Sequence, residues 1–169
     1  TGAWTGGGGT YNPNNTTLNA VYTPSAAEKL AGTVTLTWTT TDPPGPCTSA
    51  TDDVTITINP IVVTNAGADQ TVCSSSPNVT LAGSVTGGAS TGTWSGGTGT
   101  FNPNANTLNA VYTPSAAEIT AGTVTLTLTS ADPAGPCGST NDQMTITINP
   151  AATANAGPDQ TVCADQTVQ

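Results

Sequence analysis

Apolar residues alternate with threonine along TVTLTLT, Thr123–Thr129. Val124, Leu126 and Leu128 fall on one side of an extended chain, and Thr123, Thr125, Thr127 and Thr129 on the other. A period of two marks a strand with one buried face. TVTLTWT, from Thr33, repeats the pattern with Val34, Leu36 and Trp38 inward. VTITI and MTITI do so again, which predicts Val54, Ile56 and Ile58, and Met144, Ile146 and Ile148, on inner faces. Threonine suits the wet face: it is β-branched, and its hydroxyl meets water. The repeated threonine is therefore read as the way a nearly uncharged sheet stays in solution.

Shorter strands are predicted at QTVC, NVTLAGSV, GTWSGG, GTFNP and TLNAVYT, separated by Gly, Asn, Pro and Ser clusters that read as turns. With the two long strands this makes about seven per unit, as in an Ig-like sandwich. In LNAVY both Val111 and Tyr112 suit burial, so the register stays open. One segment breaks the alternation. In PSAAEITAG, Ser115 precedes Glu118 by three residues and Gly122 closes the stretch. That is a capping box with a glycine stop: a short helical turn before the penultimate strand, joining the two sheets. PSAAEKLAG repeats it with Ser25, Glu28 and Gly32.

The whole chain repeats. Thr1 aligns with Thr91, without gaps, through Cys73 with Cys163. That period is too long for common solenoid units and suits a complete sandwich of about 100 residues. INPIVVTNAGADQTVC and INPAATANAGPDQTVC both follow a strand ending in Asn-Pro, and proline ends a strand by removing a ladder donor. Boundaries are therefore expected at Pro60 and Pro150. Residues 1–60 read as the latter part of one Ig-like repeat, 61–150 as a complete repeat, and 151–169 as the opening of the next. No signal peptide is visible at the start, as expected of a window that opens mid-domain.

Composition narrows the function. One basic residue, Lys29, stands against ten acidic ones, for a net charge of −9. Nucleic acid needs clustered cations, and so does an anionic membrane surface; neither is expected as a partner. No apolar run is long enough to insert as a membrane helix. Four cysteines in repeated contexts favour an oxidising, extracellular setting.

Catalytic chemistry finds little to stand on. The chain has no histidine, which removes most proton shuttles, His-activated nucleophiles and most transition-metal sites. No Cys-x-x-Cys pair occurs, and no serine has a partner base in view. No enzyme activity is expected. WTGGGGTY and WSGGTGTF lack the Lys and helix start of a phosphate loop and read as hairpin or bulge glycines. Asp42, Asp52 and Asp53, and Asp132 with Asp142, flank the loops that carry Cys47 and Cys137. Asp132 and Asp142 are the candidate calcium ligands, although no fixed ligand spacing sets them apart from a solvated Asp-Pro turn. Paired carboxylates for glycoside hydrolysis would need a cleft that a sandwich of this size scarcely offers. Trp4, Trp94 and Trp38 are assigned to the core rather than to sugar stacking, because so few other large residues could fill it. Flat Thr-x-Thr rows can bind ice, but a twisted sandwich sheet spoils the lattice match. Asn14, Asn15 and Asn78 fit the N-x-Ser/Thr acceptor pattern of glycosylation.

NAGPDQTVC, the YTPSAAEI segment leading into AGTVTLTLT, and the DPAGPC loop resemble the Ig-like or PKD-like repeats of very large secreted surface proteins of Bacteroidota. The resemblance covers essentially the whole chain. The chain lacks the WDFGDG stretch of PKD domains, which favours the broader Ig-like description. Many such proteins leave the cell by the type IX route and act in adhesion or gliding. The resemblance thus implies a stalk or filament repeat at the cell surface, partnered by neighbouring repeats and by lateral or head-to-tail self-association. A carbohydrate-binding or spacer module of a secreted enzyme is the alternative.

Two cysteine pairings are open. Neighbours in sequence would give Cys47–Cys73 and Cys137–Cys163 across domain boundaries. Pairing within one unit would give Cys73–Cys137 and leave Cys47 and Cys163 to partners outside the window. The second is expected, because the first strand can run beside the last, near the loop bearing Cys137.

Overall fold

The computed structural model describes residues 1–164, 166 and 167. The first copy contains β1 (Gly2–Thr5), β2 (Thr10–Asn12), β3 (Val21–Thr23), α1 (Ala26–Ala31), β4 (Thr33–Thr40) and β5 (Thr51–Thr57). The second contains β6 (Val63–Asn65), β7 (Gln70–Cys73), β8 (Val79–Thr80), β9 (Ser84–Thr86), β10 (Gly92–Ser95), β11 (Thr100–Asn102), β12 (Val111–Thr113), α2 (Ala116–Ala121), β13 (Thr123–Ser130) and β14 (Asn141–Asn149). The fold is an all-β sandwich, each copy carrying one short helix.

In the second copy one sheet has the order β10-β13-β14-β7, and facing strands form β11-β12-β8 and β6-β9. The alternating threonines produce what the pattern predicts: Val124, Leu126 and Leu128 are buried, as are Met144, Ile146 and Ile148 across the β13–β14 ladder. Trp94 and Tyr112 are the largest side chains of this core. The register of β12 resolves with Tyr112 inward, its ring 4.8 Å from that of Phe101. Between β12 and β13, α2 carries the chain from one sheet to the other. Its capping box is complete, and Gly122 ends it in the left-handed conformation at φ 77°.

Nine strands form here instead of about seven. Val63–Asn65 adds one ahead of QTVC. NVTLAGSV splits into two because the chain changes sheets between them, β8 pairing with β12 and β9 with β6. Gly83 sits at the crossing, where a Cβ would meet the Trp94 ring at 2.7 Å.

β7 lies along the outer edge of β14, and the two run parallel, Ile146 opposite Gln70 through Asn149 opposite Cys73. Three hydrogen bonds fix this edge. The Ala66 N–H donates to the Asp142 carboxylate (2.8 Å), the Thr145 N–H to the Asp69 carboxylate (2.7 Å), and the Ser74 N–H to the Asn149 carbonyl (2.8 Å).

The first copy keeps the same inner strands in the order β1-β4-β5, with β2-β3 beside them. Val34 and Leu36 are buried. Val54 is a correction to the expected inward set: it is 43% exposed, whereas its counterpart Met144 is 1% exposed. Trp38 and Trp4 are half-buried and stack edge to face, 5.2 Å apart. The cause is local. In the second copy Val72, Val79, Leu81 and Val85 of the opening strands pack on this core. Among the described residues, nothing equivalent covers the first.

Candidate functional site

The most concentrated polar cluster is a corner around Glu118. The capping box brings its carboxylate back over the start of α2, where the Ser115 N–H donates to it at 2.7 Å. The Thr98 N–H, from the glycine turn after β10, donates at 2.7 Å. The buried Tyr112 hydroxyl donates at 2.8 Å and itself accepts from the Gly99 N–H at 3.0 Å. The glycines have a steric reason as well: a Cβ at Gly97, which has φ 70°, or at Gly99 would run into the Tyr112 hydroxyl. Burial pushes the Glu118 pKa up, but the bonds from Ser115, Thr98 and Tyr112 together outweigh it and hold the carboxyl below its ordinary value. Burial, reinforced by the anionic partner, pushes Tyr112 up to about 12. The first copy repeats the corner with Tyr22, Glu28, Ser25, Gly8 and Gly9. There the Tyr22 hydroxyl bond comes first in holding Glu28 at about 2. A carboxylate saturated by donors and held ionised is a clamp between turn, strand and helix.

The capping glutamate was visible in sequence. Its bonds to Tyr112 and to the glycine turn were not, because they join residues distant along the chain. The fixed company of W-x-G-G, V-Y-T and S-x-x-E in both copies was the available signal.

The acidic candidates are separate from this corner. Asp142 is on β14, and its carboxylate is engaged by the Ala66 N–H. Asp132 lies exposed in the loop before β14. Among the described residues no group of three or more potential metal ligands gathers.

All four cysteines are free thiols. The expected Cys73–Cys137 bond does not form, and strand direction is the reason. The first strand does lie beside the last, but parallel to it, so Cys73 stands next to Asn149 at the far end of β14. Cys137 precedes the near end. Nine residues of strand separate the two ends by ~30 Å, against the ~7 Å limit between disulfide-bonded Cα atoms. Cys137 instead directs its Sγ toward the Asn59 carbonyl, 3.8 Å away. Cys73 has the Ser75 hydroxyl at 3.1 Å, the foremost cause of a lowered thiol pKa.

The contact of Cys137 belongs to a seam between the copies. The Asn59 side-chain amide donates to the Ala134 carbonyl at 3.3 Å, and Gly135, held at φ 108°, packs against that amide. Gly88 leaves space for the Pro60 carbonyl and Pro133. Thus the DPAGPC loop receives the Asn-Pro end of the preceding copy. Beside the seam, Leu30, Ile58, Pro60 and Ile61 line an open apolar groove of ≈ 560 Å³. A second groove of ≈ 390 Å³, lined by Thr91, Thr93, Asn106 and Ser130 among others, has no aromatic side chain in its lining. Trp94 is buried, and its indole N–H donates to the Leu108 carbonyl at 3.1 Å.

No family model and no curated protein matches the sequence. Among solved structures the chain is similar to mouse cadherin-23 EC22-24, at 15% identity and a TM-score of 0.41, over 87% of this chain and 53% of that one. It is also similar to protocadherin gamma B2 extracellular cadherin domains 3-6, at 16% identity and a TM-score of 0.38, over 88% and 40%. The chain spans about half the length of the first of these. No helix among the described residues is long and apolar enough to cross a membrane.

Proposed function

We propose that this chain is a structural repeat of an extracellular bacterial surface protein, a stalk or filament that holds an adhesive region away from the cell. The carrying observation is the seam: Asn59 and Pro60 seat in the DPAGPC loop of the following copy. A near-identical unit that receives the end of its predecessor lengthens an array simply by addition. The division at Pro60 and Pro150, placement at the cell surface and absence of enzyme activity belong to this reading. The resemblance to Bacteroidota surface repeats supports it, and so does the Glu118 corner, which spends the best-placed carboxylate on rigidity. The alternative, a carbohydrate-binding or spacer module, is disfavoured by Trp94, whose ring fills the core. The purified chain is expected to bind nothing on a glycan array and to scatter X-rays as two copies placed end to end. Sugar binding, or a folded-back pair, would overturn the proposal.

A further inference from the structure

Asn59 and Asn149 occupy the same position of the repeat, each followed by the proline that ends its copy. The structure shows this position from two sides. At Asn59 it shows what the following copy brings: the Cys137 thiol, whose Sγ lies 3.8 Å from the Asn59 carbonyl oxygen. At Asn149 it shows what the same copy brings. Cys73 stands directly opposite across the parallel β7–β14 pair, and the Ser74 N–H donates to the Asn149 carbonyl at 2.8 Å. The Ser74 hydroxyl in turn accepts from the Ala151 N–H at 2.8 Å, which ties the chain leaving the copy to the loop after Cys73. One carbonyl of the repeat therefore meets the sulfur of one cysteine and the amide that follows the other.

Resting on the stalk reading, in which a further copy follows Pro150 as the second follows Pro60, we infer that the joint between repeats is covalent: Cys73 forms a disulfide with the cysteine standing at the place of Cys137 in the following copy. The repeat carries the geometry over. A following loop seated on Asn149 as the DPAGPC loop sits on Asn59 sets its Sγ 3.8 Å from the Asn149 carbonyl. The Ser74 amide is 2.8 Å from that same oxygen and is bonded directly to Cys73. The two cysteines thus converge on one atom, within the ~7 Å between Cα atoms that a disulfide allows. The parallel course of β7 keeps Cys73 ~30 Å from the loop of its own copy, and the same course delivers it to the joint.

The two thiols have distinct parts in closure. Cys73 is exposed, and Cys137 is half-buried in the seam. The Ser75 hydroxyl, followed by the Ser75 and Ser74 N–H groups, favours the Cys73 thiolate, which is the attacking form. It attacks one sulfur of a small disulfide oxidant such as oxidised glutathione, and one thiol leaves. The loop cysteine then attacks the Cys73 sulfur of the mixed disulfide and displaces the second thiol. The protein gives up two protons and two electrons, and the oxidant departs as two thiols. The bond fixes the angle of a joint that the Asn59 amide otherwise holds by a hydrogen bond of 3.3 Å.

The test lengthens the chain by one complete copy. Residues 61–150 are joined again directly after Pro150, so that the new junction reads INPIVV as the one at Pro60 does. The added unit brings its own closed core and every residue of the joint. Oxidised at high dilution with oxidised glutathione, this protein should stay monomeric on a non-reducing gel and lose two thiols to one internal bond, counted by alkylation and mass. Cys73→Ala in the second copy, or Cys137→Ala in the added copy, should abolish the bond. Cys73→Ala in the added copy, or Cys137→Ala in the second, should leave it in place. Circular dichroism checks that each variant is folded. Thiols that all stay free, or a bond that survives Cys73→Ala in the second copy, would overturn the inference. X-ray scattering separates this from failure of the stalk reading. Three copies end to end with free thiols would sink the disulfide alone, whereas a folded-back shape would sink both.

Discussion

At the scale of single residues, the fold concentrates its polar chemistry in one buried pair. Tyr112→Phe removes the hydroxyl that donates to Glu118 and accepts from the Gly99 N–H, leaving both short of a partner in a part-buried site. Such losses cost about 1–3 kcal/mol, measurable by urea denaturation. The same pair sets a pH window. The carboxyl of Glu118 has a lowered folded pKa, so its contribution is complete above the ordinary value of 4.5 and is lost as pH falls through the lowered one. Tyr112 has a raised folded pKa, so its contribution is complete below the ordinary value of 10.0 and is lost as pH rises toward about 12. A plateau of stability between those two ordinary values is expected, with an alkaline limb diminished in Tyr112→Phe. The first half of this arrangement could be read from Ser115 and Glu118, because a capping box is a local pattern. The second half could not, since no spacing rule connects a glycine turn to a tyrosine on another strand.

At the scale of elements, the two copies form a controlled comparison: nearly the same strands, covered in one case and open in the other. Met144→Ala empties a position that is 1% exposed and should cost about 2–5 kcal/mol. Val54→Ala, at the matching position of β5, should change stability by less than ~1 kcal/mol, as surface substitutions do. Thermal melts of the two variants check the contrast, and equal losses would show that β5 is covered after all. The strands themselves were legible because side-chain alternation depends only on the local chain. Direction was not. A parallel and an antiparallel neighbour alternate in the same way, so nothing in QTVC reveals which way β7 runs beside β14. That single ambiguity moved Cys73 from one end of the sandwich to the other and undid the expected disulfide. The split of NVTLAGSV is illegible in sequence for a similar reason: Gly83 marks a change of sheet only once Trp94 is known to press against it.

At the scale of the whole molecule, cover decides local stability. The second copy has both faces of its core closed, the first has one open, and the tail has no partner strand. Segments with few buried contacts open at low free energy and are cut first. Trypsin is a poor probe, since Lys29 offers its only site. A protease directed at apolar residues, applied to dilute and reduced chain, should cut first at Val162, then at exposed Leu18, Val21 and Leu30, and last at Leu126 and Ile146, which are 0% exposed. Mass spectrometry of the timed digest gives the order. Cleavage at Leu126 ahead of the tail would contradict the closed sandwich.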